Sequence, residues 1–343
     1  MAVAFSPTVS PALDGSPDSP APLRSRWQQE LVDAWRSPAS LLKHLGLTAD
    51  NFPNAVAEST AFPCLVPRSY VDRMEPGNPQ DPLLLQVLPF EQESQLTPGF
   101  VDDAVDDSAA VRAPGLLQKY HGRVLLITTA ACAIHCRYCF RREFPYHESP
   151  GSVAQWTPAF DTIRDDGSIQ EVILSGGDPL MLTDARLAEV IRILDSIPHV
   201  ERVRIHSRLP IVLPSRVTPE LIELLTSLRA QPILVVHANH AREIVGDCEV
   251  ALRALVRGGM PVLNQTVLLR KVNDSVTSLE QLSNRLIRIG VMPYYLHQLD
   301  RVTGTSHFEV TEAEGLQLIH QLATRLPGYA VPRYVREIPG EPH

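Results

Sequence analysis

The chain is expected to fold as an α/β protein whose core is an open, six-unit barrel of parallel strands. Three observations lead there. From Arg123 onward, short runs rich in branched apolar residues recur at 124–129, 171–174, 202–206, 233–237, 262–268 and 294–299. Amphipathic stretches separate them, among them 185–197, 219–228 and 276–289. Strands alternating with helices build parallel βαβ units, and six units are too few to close an eight-unit barrel. The third observation is where the reactive residues fall. A cysteine loop follows the first run, Ser175-Gly-Gly-Asp the second and His206-Ser-Arg the third. His237 closes the fourth, Gln265 lies in the fifth, and Asp300 follows the sixth. Barrels of this kind gather their chemistry at the C-terminal ends of the strands.

The elements ahead of the core are less regular. Residues 1–24 are rich in Pro, Ser and Ala without periodic hydrophobicity, which predicts a disordered arm. Residues 25–117 are expected to form a mainly helical accessory region packed on the core. Leu31, Ala34, Trp35, Leu41 and Leu42 recur at helical spacing between Trp27 and Leu47, and Leu45-Gly-Leu-Thr-Ala-Asp-Asn-Phe then reads as a helix end and a new start. Residues 53–120 hold many prolines and short apolar runs such as Leu83-Leu-Leu-Gln-Val-Leu, so independent folding is not expected. The core is placed at 118–327, with a C-terminal segment at 328–343.

Composition narrows the function classes. A chain of 343 residues with 44% hydrophobic and 20% charged residues suits a soluble enzyme. The formal charge of -8 argues against general affinity for nucleic acid or an anionic membrane. No apolar stretch is long enough to span a bilayer, and the N-terminus lacks the basic-then-apolar pattern of a secretion signal. The five cysteines include Cys64 and Cys248 as isolated thiols, which fits a reducing, cytoplasmic setting.

The other three are Cys132, Cys136 and Cys139, spaced CxxxCxxC. A cubic iron–sulfur cluster takes one ligand per iron, so three thiolates on one loop leave one iron open. An open iron beside a redox cluster is what a cofactor needs to be bound and reduced in place. A structural zinc site completed by His135 or His147 is the competing reading, although zinc ligands usually come as two separated pairs. The motif resembles the signature of radical S-adenosylmethionine (SAM) enzymes, in which the SAM amine and carboxylate chelate the open iron. In that light Ser175, Gly176, Gly177 and Asp178 resemble the glycine-rich segment that contacts the methionyl end of SAM. Taken alone, the same four residues read as a strand-to-helix turn with Asp178 as its cap.

A narrower resemblance covers about two-thirds of the chain. Arg123-Val-Leu-Leu-Ile-Thr-Thr-Ala-Ala-Cys-Ala-Ile-His-Cys-Arg-Tyr-Cys-Phe-Arg-Arg-Glu-Phe-Pro-Tyr is similar to the lysine 2,3-aminomutase family. So, in order, are Leu174-Ser-Gly-Gly-Asp-Pro-Leu, Arg204-Ile-His-Ser-Arg-Leu-Pro-Ile-Val, Leu263-Asn-Gln-Thr-Val-Leu-Leu-Arg, Met292-Pro-Tyr-Tyr-Leu-His, Gly328-Tyr-Ala-Val-Pro-Arg and Arg336-Glu-Ile-Pro-Gly-Glu-Pro. The likeness is strongest to the EpmB branch, which supplies β-lysine for modifying translation elongation factor P. It implies a radical SAM partial (β/α)6 barrel and an isomerase that uses a [4Fe-4S] cluster, SAM and pyridoxal 5′-phosphate (PLP). The implied reaction moves the amine of L-lysine from Cα to Cβ. A flavodoxin- or ferredoxin-type electron donor, elongation factor P and its lysyl-transferring ligase are the implied partners.

The resemblance also implies roles position by position. The three cysteines hold the cluster, and Arg141 pairs with the lysine carboxylate, a task that suits a planar guanidinium. Asp300 receives the side-chain ammonium, and Glu337 stands at a second such position where the free-lysine mutases carry aspartate. Lys119, in place of the mutases' arginine, and Arg123 match the pair that binds the PLP phosphate. Gln265 matches a contact to the PLP ring, and His237 is a further cofactor contact. The PLP-anchoring lysine is expected directly after His343, where the sequence stops; either the anchor lies in a continuation of the chain, which is the simpler reading, or the protein lacks that covalent link. Lys43, Lys119 and Lys271 fall in unrelated segments and do not replace it. Three alternatives stay open: a catabolic free-lysine 2,3-aminomutase, another radical SAM amine-migrating enzyme, and a non-enzymatic iron–sulfur or zinc regulator.

Overall fold

The computed structural model describes residues 24–54, 56–57, 62–146, 149–338 and 340–341. Residues 1–23 of the expected arm, His147 and the chain end at His343 lie outside the described residues.

Nine strands form one sheet in strict sequence order. The central six are β3 (Arg123–Thr129), β4 (Glu171–Gly176), β5 (Arg202–Ser207), β6 (Gln231–His237), β7 (Val262–Val267) and β8 (Met292–His297), all parallel to one another. They match the six apolar runs to within two residues at every end. Parallel neighbours require crossovers. These are the helices Thr157–Asp165, Asp184–Asp195, Pro219–Thr226, Asp247–Arg257 and Val276–Arg288. Several start where a Ser or Thr side chain caps the first turn: Thr183 accepts from the Arg186 amide, Thr218 from Leu221 and Ser275 from Ser278.

Alternation along each strand sorts its side chains into two layers. Val124, Leu126, Val172, Leu174, Val203, Ile205, Leu234 and Val236 are buried against the helices. The other set, including Ser175, His206, His237, Gln265 and His297, faces the barrel interior. Three further strands extend the six-unit core. The antiparallel pair β1 (Val111–Ala113) and β2 (Leu116–Tyr120) adds to β3, and β9 (Arg333–Val335) adds parallel to β8. The barrel therefore stays open between its two ends, and the 117/118 boundary falls inside β2.

The region ahead of the barrel shares its core. Trp27, Leu41, Leu42, Tyr70, Leu83, Leu84 and Leu88 belong to one buried cluster with the barrel strands and helices. The helical spacing between Trp27 and Leu47 resolves into two helices, Arg26–Val32 and Pro38–His44. Pro38 cannot continue the first helix, and Ser37 caps the second by accepting from the Ser40 amide. Among the described residues, no helix is long and apolar enough to cross a membrane.

Candidate active site

The cysteine loop leaves the C-terminal end of β3 and is pinned from behind by the accessory region. The His135 amide donates to the Leu65 carbonyl at 3.0 Å and the Arg137 amide to the Gln86 carbonyl at 2.9 Å. Arg137 is fully buried, and its Nε donates to Glu93 Oε1 at 3.0 Å. Arg142 Nη2 reaches the other oxygen of Glu93, also at 3.0 Å. One buried carboxylate thus fastens two arginines of the loop. Cys132, Cys136 and Cys139 are half-buried between these anchors, and all five cysteines are free thiols. Burial and the neighbouring sulfurs push the Cys139 thiol up to about 11 and raise Cys132 as well.

Among the described residues, no three His, Cys, Asp or Glu donors converge on a point that a single ion would occupy. A cubic cluster, with one thiolate per iron, does not need them to. His135 is engaged elsewhere, with Nδ1 at 2.8 Å from the Pro63 carbonyl and its ring stacked on Phe62.

Ser175 and Gly176 end β4, Gly177 and Asp178 follow it, and the segment docks onto this loop. The Gly177 amide donates to the Thr129 carbonyl at 2.7 Å and the Asp178 amide to the Ala131 carbonyl at 2.8 Å. A Cβ on Gly177 would lie 2.4 Å from the Ala131 oxygen, so only glycine permits the approach. The N–H groups of Gly177 and Asp178 are thus both bound to the cysteine loop. Asp178 is buried, and its carboxylate accepts from Ser207 Oγ and from the amides of Leu180, Arg208 and Leu209. Burial pushes its carboxyl up to about 6.

A second cluster of charge lies where the barrel is open. Arg141 Nε donates to Asp107 Oδ2 at 2.7 Å and Nη1 to Ser175 Oγ at 3.0 Å. Lys119 Nζ lies 2.9 Å from Asp107 Oδ1 and 3.6 Å from Glu337 Oε1. Tyr120 OH donates to Glu337 Oε1 at 3.0 Å. These contacts join β2 to the segment after β9 across the open side. An isolated bridge between Val101 and Val302 closes it further. Asp300 sits within this group, pushed up to about 7 by burial and by the Glu337 carboxylate, with Lys119 and Arg141 pulling the other way.

The interior carries three histidines. His237 Nε2 lies 3.0 Å from Tyr138 OH, and burial next to Arg208 and His297 holds its imidazole well below the usual range. Burial and Arg204 hold the His206 imidazole likewise well below the usual range, and its Nε2 is buried with no hydrogen-bond partner. An orphaned imidazole nitrogen facing inward suits a polar guest in the barrel. Gln265 stands on the neighbouring strand β7. Arg123, by contrast, is the first residue of β3, at the far end from the cysteines, with its guanidinium 4.2 Å from the Tyr120 ring.

Sequence reasoning missed Asp107, Glu93, Gln86 and Glu243. Asp107 belongs to the acidic run Asp102-Asp103-Ala-Val-Asp106-Asp107, which reads as a solvated loop, yet it is 2% exposed. Arg208 was visible in His206-Ser-Arg without a partner to give it a role.

The Radical SAM superfamily profile matches residues 126–280. The L-lysine 2,3-aminomutase of Escherichia coli (strain K12) is 46% identical over 324 residues, spanning 94% of each chain. The enzyme of that name from Haemophilus influenzae is 44% identical over 317 residues, 92% of this chain and 94% of that one. That of Clostridium subterminale is 34% identical over 316 residues, 92% of this chain and 76% of that one.

Proposed function

The chain belongs to the L-lysine 2,3-aminomutase family of radical SAM enzymes, and from that premise we propose how its own residues divide the work. It is an isomerase of L-lysine that uses a [4Fe-4S] cluster, SAM and PLP. When bound, these cofactors supply an electron, a carbon radical and a carrier for the migrating nitrogen. Cys132, Cys136 and Cys139 hold the cluster, one thiolate per iron. The Ser175–Asp178 segment, locked to the cysteine loop, shapes the SAM floor by close approach, and His237 contacts SAM from β6. Lys119 and Arg123 flank the β2–β3 turn and hold the PLP phosphate, while Gln265 meets its ring.

The observation that carries the substrate assignment is Asp300. Its half-buried carboxyl lies near two more carboxylates, and desolvation together with that repulsion pushes it up to about 7. An ammonium seated there relieves that repulsion, and Arg141 offers a guanidinium for a carboxylate at the other end. Arg141 exchanges part of its contact with Asp107 for the substrate carboxylate. A zwitterion with a distal amine fits this polarity. Holding both ends limits which hydrogen meets the radical, so the protein's contribution is positioning.

In this reading residues 25–117 wall the site, 118–327 form the catalytic barrel and 328–343 deliver Glu337. Electrons come from a flavodoxin- or ferredoxin-type donor in the cytoplasm, and the product serves elongation factor P and its lysyl-transferring ligase. Glu337, one methylene longer than the aspartate of the free-lysine mutases, is a departure from them that alters how far this carboxylate reaches. Anaerobic incubation of cluster-loaded protein with lysine, SAM and a reductant, followed by chromatography, should yield β-lysine. Unchanged lysine despite SAM cleavage would overturn the assignment. Acid hydrolysates of elongation factor P from cells lacking the gene should contain no β-lysine; undiminished β-lysine there would remove the elongation factor link.

A further inference from the structure

Behind the cysteine loop lies a buried charge pair that the reaction itself does not call on. Arg208 is 7% exposed and Glu243 is 0% exposed. Arg208 Nη1 lies 2.6 Å from Cys136 Sγ. Its Nη2 donates to Glu243 Oε2 at 2.9 Å and to Gln86 Oε1 at 2.7 Å. The guanidinium also sits 5.5 Å from both the Tyr70 and Tyr138 rings. Its backbone is held as firmly, because the Arg208 amide donates to Asp178 Oδ2 at 2.7 Å. Glu243 is fixed in turn: its Oε1 accepts from the Asn239 amide at 2.8 Å and the His240 amide at 2.9 Å. Moving the guanidinium away would remove the one cation paired with the buried Glu243 carboxylate among the described residues.

We propose that Arg208 is a positioning residue that sets the reduction potential of the cluster through its hydrogen bond to the Cys136 sulfur, with Glu243 as the opposing charge. The inference rests on the reading of Cys136 as a cluster ligand. One electron from a one-electron donor enters the cluster and makes it one charge more negative; no covalent bond forms or breaks. A cation and an N–H donor at a ligand sulfur favour the more negative state, so the potential rises. Arg208 and Glu243 are both buried, so their field is weakly screened. Glu243, on the far side of the same guanidinium, acts with the opposite sign. Asp178 connects this device to the glycine-rich segment: the carboxylate that caps that turn also holds the Arg208 backbone. The geometry thus gives Asp178 the task of aiming a tuning charge.

The test is a redox titration of the anaerobically reconstituted protein without SAM, with dithionite as reductant and the reduced cluster read by electron paramagnetic resonance. Arg208→Gln should shift the midpoint to more negative values and Glu243→Gln to more positive ones, with Arg208→Lys between wild type and Arg208→Gln. Opposite shifts separate electrostatic tuning from general loosening of the loop, which would move both the same way or lower iron content alone. Midpoints unchanged in variants that hold a full cluster, or shifted in one direction, would overturn the proposal. A variant-free readout runs alongside it: wild type labelled with 15N-arginine should show nitrogen coupling to the reduced cluster, and its absence would also overturn it. If wild type bound no cluster at all, the failure would lie with the cysteine assignment instead.

Discussion

Replacing Asp300 by asparagine should stabilise the protein while it impairs lysine binding. A carboxylate whose folded-state pKa lies above its unfolded value holds more protons folded than unfolded. Stability from that group is therefore highest below pH ~4 and declines as the pH rises to the folded value. Asp300 is pushed from 3.8 up to about 7. Roughly 3 pH units at about 1.4 kcal/mol each set an upper limit of ~4 kcal/mol at pH 8. Water reaches the half-buried carboxyl and screens its charge, so about half of that, ~2 kcal/mol, is the expected gain on removing the charge. At pH 5 only roughly 1 unit remains between ambient pH and the unfolded value, which leaves less than ~1 kcal/mol. Thermal unfolding of cluster-loaded protein without lysine, followed under anaerobic conditions, should show the variant melting about 3 °C above wild type at pH 8. The gap should shrink at pH 5. Lysine affinity should fall by about one to two orders of magnitude at pH 8, as expected for the loss of a charged hydrogen bond worth ~1.5–3 kcal/mol. A variant less stable than wild type at pH 8, or a difference independent of pH, would refute the account of Asp300. Normal lysine turnover would refute its role.

Two further outcomes follow from the walls of the site. Glu93→Gln should lower stability by about 3–5 kcal/mol in chemical denaturation, because it leaves buried Arg137 and Arg142 without their carboxylate; a loss under ~1 kcal/mol would show the pair to be dispensable. Gly177→Ala should cut iron loading by more than about half, since its Cβ would meet the Ala131 oxygen at 2.4 Å and force the two loops apart. Gly167→Ala, where the added carbon meets nothing within 4 Å, is the control, and equal iron content in both variants would count against the docking argument.

The strand runs and the cysteine spacing were legible in the sequence because both are local. Branched apolar residues at 124–129 or 233–237 need only their neighbours to mark a buried strand, and three thiols within eight residues share a loop wherever that loop lies. The placement of His237, Gln265 and Asp300 followed from the same rhythm, since alternation of strands and helices sends strand ends to one rim. Other features needed the assembled chain. The break at Ser37-Pro38 divided one helical pattern into two helices, and β1, β2 and β9 were too short to stand out. Asp107 could not be read from an acidic run that looks solvated. It becomes a buried partner of Lys119 and Arg141 only because the accessory region folds across the open side of the barrel. Arg208 and Glu243 are 35 residues apart in sequence, and Arg208 and Cys136 are 72 apart. Hydrophobic period and motif spacing report what a segment is; which charges face each other in a water-poor interior depends on long-range packing, and that is a property of the tertiary structure alone.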